Sequence, residues 1–68
     1  MDKYKLQYIM KKNGISVEDM AKKMGISKSA LYSKMNGRSQ FTLAEIQMII
    51  KILDLDSPVD IFFAKEVS

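Results

Sequence analysis

The sequence predicts an all-α fold: a compact bundle of five helices, carried by one domain that covers residues 1–68. Three features predict it. Apolar residues recur three and four positions apart along most of the chain, the spacing of one helix face. Ser16, Ser27, Thr42 and Ser57 each stand just before such a stretch, where a hydroxyl accepts from the free N–H groups of a first turn. Glycine follows three of the stretches, at Gly14, Gly25 and Gly37, where helices commonly end.

The first helix covers residues 3–12. Leu6, Ile9 and Met10 share one face, Lys3, Lys5, Lys11 and Lys12 fall largely outside it, and Asn13-Gly14 stops it. The second starts at Ser16, with Asp19 where a capping box wants an acid and with Ile15 and Met20 spaced as a hydrophobic staple. Gly25 follows its last apolar residue, Met24, in the position of a left-handed residue. Lys22 and Lys23 lie near its negative C-terminal end, which the macrodipole favours.

The third helix runs from about Lys28 to Asn36 behind the cap Ser27, with Ile26 and Leu31 as its staple. Leu31 and Met35 face the core. At about 100° per residue, Ser29, Ser33 and Asn36 point away from it, with Ala30 and Tyr32 on the flanks. Lys28 lies on the core side by angle, yet at the helix tip it can project past the end. The fourth helix, Leu43–Leu53, is the most apolar. Leu43, Ile46, Ile49, Ile50 and Leu53 form its stripe, with Met48 and Ile52 beside it. Phe41 and Ile46 staple its start around the box Thr42-x-x-Glu45. A fifth helix begins with Ser57 as cap and Pro58 in the first position and runs through Ile61, Phe62 and Phe63; the tail, 64–68, is expected to fray. Five of the six methionines fall within helices at mostly core-like positions, so packing is their expected role.

Ser16–Gly37 is therefore two short helices joined by a tight turn at Gly25, the arrangement of a helix-turn-helix. The third helix is roughly 13 Å long at 1.5 Å per residue. A helix of that length fits a DNA major groove about 12 Å wide. Its outer face is small and polar, and no Asp or Glu occurs between Lys28 and Gln40. The charges are segregated: residues 1–40 carry nine Lys or Arg and three acids, residues 41–68 two Lys and five acids. A polyanion is the natural partner of the first part. The alternative, a solvated lysine-rich surface, is common in small domains.

Other classes find little support. The chain has no Cys and no His, hence no disulfide, no thiolate and neither the commonest metal ligand nor the commonest general base. It has no Ser-x-x-Lys spacing, and the remaining carboxylates are scattered, so no enzyme is expected, and no metal or cofactor. The lysine-studded start has no apolar segment of a signal peptide, and the longest uncharged apolar run, within Ile46–Ile50, is far too short to span a bilayer. A cytoplasmic protein is expected.

The stretch Ser16–Gly37 resembles the helix-turn-helix of the Cro/cI-type phage repressor family. The resemblance lies in Met20, Ala21, Met24, Gly25, Ile26 and Leu31, with Asn36-Gly37 closing the second helix of the motif. Two positions depart from the family pattern. Lys34 stands where an apolar residue is usual, so either Met35 fills that space or the Lys34 stem crosses the core edge with its amine in water. Val17 stands where a Gln often touches the DNA backbone. The resemblance implies a lambda-repressor-like fold whose second and third helices form the motif, and a transcriptional regulator bound to double-stranded DNA. It assigns base reading to Lys28, Ser29, Tyr32 and Ser33, although Tyr32 also suits a residue covering the core edge. Phosphate contacts fall to Ser16 and Ser27 at helix N-termini, and to Lys34, Asn36 and Arg38. A homodimer on an inverted repeat is expected, with Phe62 or Phe63 as the candidate contact, because one ring can enter the core and the other is left for a partner or for partial exposure. The rival reading is a helical protein-interaction module that does not bind nucleic acid and relies on Phe62, Phe63 and the acidic part of the chain.

Overall fold

The expected helix starts at Ser16, Ser27 and Thr42 are all hydrogen-bonded caps in the structure, a computed structural model that describes residues 1–56 and 59–62. Ser16 Oγ accepts from the Asp19 N–H at 3.0 Å while the Asp19 carboxylate accepts from the Ser16 N–H at 3.3 Å, which starts α2 (Val17–Met24). Thr42 and Glu45 form the same reciprocal box, at 3.1 and 2.9 Å, ahead of α4 (Leu43–Leu53). Ser27 Oγ accepts from the Ala30 N–H at 3.0 Å at the head of α3 (Lys28–Met35). A fourth cap, Asp2, opens α1 (Lys3–Lys12) by accepting from the Lys5 N–H at 3.0 Å. Each such cap stabilises a helix by about 1 kcal/mol.

The ends of α2 and α3 share one geometry. At Gly25 the backbone is left-handed, with φ 74°. That lets the Gly25 N–H reach the Lys22 carbonyl at 3.2 Å and the Ile26 N–H reach the Ala21 carbonyl at 3.0 Å. Gly37, with φ 83°, does the same for α3: its N–H reaches the Lys34 carbonyl at 3.3 Å, and the Arg38 N–H reaches the Ser33 carbonyl at 2.9 Å. These are paired bonds that satisfy the last carbonyls of a helix, and they need a residue without a Cβ penalty at positive φ. Asp54 closes α4 at φ 51° without a glycine, so the turn after α4 carried no such signal in the sequence.

The fifth helix is corrected. Among the described residues there are four helices of 8 to 11 residues and, after them, one helical turn, Val59–Phe62. Four residues complete little more than a single turn. The expected cap Ser57, Pro58, Phe63 and the tail 64–68 lie outside the described residues. The turn still matters to the fold: Ile61 is buried, and its carbonyl accepts from the Asp2 N–H at 2.8 Å, which joins the start of the chain to its far end.

One core holds these elements together. Leu6 and Met10 enter it from α1, Met20, Ala21 and Met24 from α2, Leu31 and Met35 from α3, Ile49 and Leu53 from α4, and Ile61 from the final turn. Helix α2 packs on both α3 and α4, and α1 packs on the final turn. The radius of gyration, 11.2 Å, is that of a compact chain of this length, roughly 11 Å. Four helical methionines, Met10, Met20, Met24 and Met35, are buried, and Met48 is half-buried against the core, as the packing role requires. The apolar stripe of α4 is shorter than its spacing suggests. Leu43, the first helical residue, is 68% exposed, Ile46 and Ile50 are half-buried, and α4 reaches the core through Met48, Ile49, Ile52 and Leu53.

Candidate nucleic-acid interface

The four residues expected to read bases share one short helix. Lys28 and Tyr32 are one turn apart on α3, as are Ser29 and Ser33, so the two pairs lie side by side on its surface. Lys28 and Ser29 are exposed in the first turn. The Lys28 ammonium makes no hydrogen bond or ion pair among the described residues. Tyr32 is 41% exposed, which leaves an apolar ring with a hydroxyl at its tip presented to solvent. Ser33 is half-buried rather than fully outward, and the N–H groups of Arg38 and Ser39 both reach its carbonyl, at 2.9 and 3.4 Å. The segment after α3 thus folds back toward the helix it follows.

That folding back fixes Arg38. It is the second residue of the turn that ends α3, its backbone is held by Ser33, and its side chain is exposed. Among the described residues its guanidinium has no acidic partner. Asn36 caps the same end, and its Oδ1 accepts from Lys3 Nζ at 2.9 Å. The same amide carries an NH2 group, the half that suits a phosphate oxygen.

The two helix N-termini differ. At α3 the Ser27 hydroxyl satisfies Ala30, and the first turn contains no acid. Its remaining N–H groups and the positive end of the helix dipole face a site free of competing carboxylates on its own helix. At α2 the first turn contains Glu18 and Asp19, and the Asp19 carboxylate already takes the Ser16 N–H. The Asp19 carboxyl is held below its ordinary value of 3.8 by hydrogen bonds from the Ser16 hydroxyl and then the Ser16 backbone; burial opposes them, and Lys22 and Lys23 add smaller attractions. It is an anion at neutral pH. At the head of α2 the chain's own carboxylate therefore occupies one of the free N–H groups, that of Ser16.

Lys34 is engaged within the chain. Its ammonium lies 3.0 Å from Glu45 Oε1 and donates to the Gln40 carbonyl at 3.2 Å, with both side chains mostly buried. Met35 fills the core beside it. The amine is thus held at the core edge by the loop and by α4. Lysine tolerates this position because its stem is apolar and because Glu45 neutralises its head. Glu45 in turn is held below its ordinary 4.5 by the Thr42 N–H first, against a raising effect of burial, and then by Lys34.

Lys3 was not singled out by the sequence. Nothing in its spacing connects it to residue 36, and only the packing of the chain brings a cation from α1 to the C-terminal cap of α3. Phe62, half-buried, meets Phe41 edge to face, with centroids 5.9 Å apart and planes at 85°, so this ring is used within the chain; Phe63 lies outside the described residues. Among the described residues no group of three or more acidic, Cys or His side chains is arranged to hold a metal, and no helix is long and apolar enough to cross a membrane.

Residues 5–65 match the family model of the Cro/C1-type helix-turn-helix DNA-binding domain, nearly the whole chain. The chain belongs to that family. No curated protein and no solved structure matches it. As a Cro/C1-type domain, the chain has α2 and α3 as its helix-turn-helix, with Gly25 at the turn between them.

Proposed function

We propose that this chain, as a single domain over residues 1–68, is a transcriptional regulator of the Cro or phage-repressor kind. It binds double-stranded DNA sequence-specifically, without catalysis, and works in the cytoplasm on the nucleoid. The observation that carries the reading is α3: a short helix with exposed Lys28, Ser29 and Tyr32, no acid in its first turn, and, just beyond its end, exposed Arg38 with no acidic partner among the described residues.

In this reading α3 lies in the major groove. Lys28 donates to guanine O6 and N7, Ser29 and Ser33 hydrogen-bond base edges, and Tyr32 packs on a thymine methyl or a sugar. Ser27 and the first N–H groups of α3 hold one phosphate, while Asn36 and Arg38 hold another, with Lys3 adjoining. One lysine and two serines discriminate modestly, so two copies on an inverted repeat, about 34 Å apart, multiply the discrimination. Phe62 is engaged with Phe41, which leaves Phe63 as the better candidate for contact between copies.

The test is affinity against salt for alanine variants on a preferred and a random duplex. Arg38→Ala weakens both duplexes and lowers the salt slope by about 1, whereas Lys28→Ala costs about 1–3 kcal/mol on the preferred duplex and little on the random one. An unchanged slope for Arg38→Ala, with equal losses for Lys28→Ala on both duplexes, contradicts these roles.

A further inference from the structure

The loop between α3 and α4 carries Arg38, and it is tied at its far end by a lysine in an unusual place. Lys34 leaves α3 in its last turn, donates to the carbonyl of Gln40 in the loop, and pairs with Glu45 in the first turn of α4. Glu45 is shared. The same Oε1 accepts from the Thr42 N–H at 2.9 Å, so one carboxylate oxygen both caps α4 and anchors the lysine. At the near end, the Arg38 and Ser39 N–H groups bond the Ser33 carbonyl. Residues 37–42 are therefore fastened to α3 at Ser33 and Lys34 and to α4 at Glu45.

We infer that Lys34 and Glu45 are positioning residues for DNA binding: their ion pair sets the α3–α4 loop, and with it Arg38, in the arrangement that grips the phosphate backbone. An apolar side chain at position 34 would fill space but could not hold the Gln40 carbonyl. The two partners also remove each other's charge from the surface. A carboxylate this close to a phosphate-binding loop is tolerable because Lys34 neutralises it. This rests on the DNA-binding reading above and adds to it a role for an acid, which simple charge attraction would count against binding.

Glu45→Gln separates the possibilities. Glutamine preserves the capping box, since either residue serves at that position, but it removes the charge that holds Lys34. If only net charge mattered, losing an acid would raise DNA affinity. The positioning role has the opposite sign: affinity on the preferred duplex falls, in the range of roughly 2- to 30-fold seen for residues that act through others. Lys34→Met/Glu45→Gln keeps the net charge of the parent and replaces a mostly buried ion pair with neutral groups, a change usually near neutral for stability. It melts near the parent temperature yet binds more weakly. In that background Arg38→Ala costs less than it does in the parent, because the contribution of Arg38 has already been reduced. Lys34→Arg, which can pair with Glu45 and reach the same carbonyl, retains parental affinity. Equal or higher affinity for Glu45→Gln, or an undiminished effect of Arg38→Ala in the double variant, overturns the inference while leaving DNA binding intact. A parent chain that binds no duplex overturns both.

Discussion

Lys3 Nζ donates to Asn36 Oδ1 at 2.9 Å, so the first turn of α1 meets the C-terminal cap of α3 thirty-three residues later. The C-terminal end of a helix carries partial negative charge, which repels a phosphate. A lysine at that cap offsets the repulsion. Lys3→Ala is expected to weaken binding to preferred and random duplex alike and to lower the salt slope by about 1. Lys51→Ala, which removes the same charge from the last turn of α4, serves as the control and leaves the slope near the parent value. Equal slopes for the parent and Lys3→Ala would reduce the contact to a surface hydrogen bond.

Gly25 is required for its backbone rather than for space. Its φ is 74°, and a Cβ placed there meets nothing within 4 Å. The cost of a side chain is therefore conformational, about 1–2 kcal/mol for a left-handed residue and highest for a β-branched one. In a domain of this size Gly25→Val lowers the melting temperature by roughly 4–8 °C per kcal/mol. Asn, which tolerates this conformation, costs less. A thermal melt of both variants checks the order; Gly25→Val melting with the parent contradicts the strain.

Acid destabilises the domain through its two capping boxes. The folded chain keeps Asp19 and Glu45 ionised below their ordinary values of 3.8 and 4.5. In that window the unfolded chain binds more protons, so stability is full above the unfolded values and falls as pH drops through the depressed folded ones. Melting temperatures between pH 7 and 3 are expected to hold steady and then decline below about 4.5, with a shallower decline for Glu45→Gln. A profile for that variant that superimposes on the parent's would remove Glu45 from the account.

The sequence carried the parts of this domain that depend on near neighbours. Ser16, Ser27 and Thr42 bond residues three positions away, and Gly25 and Gly37 close turns within five, so spacing alone reveals them. The core residues of α1, α2 and α3 followed from helical periodicity. What spacing missed is long-range or set by the ends of elements. The partners of Lys34, Gln40 and Glu45, are set by the path of a loop and not by spacing along a helix. Lys3 had no visible partner for the same reason. Leu43 belongs to the α4 stripe by angle, yet at the head of the helix it lies beyond the core. Ser16 was legible as a cap, and so was Asp19, the acid that closes the box with it.

Selection of bound sequences from a random duplex pool tests whether α3 reads a DNA sequence. Enrichment of an inverted repeat with half-sites about one turn of DNA apart is expected. Lys28→Ala is expected to relax preference at the guanine it contacts and to leave the remaining positions in place. A bound pool as random as the input, or a Lys28→Ala pool identical to that of the parent, would contradict sequence reading by α3.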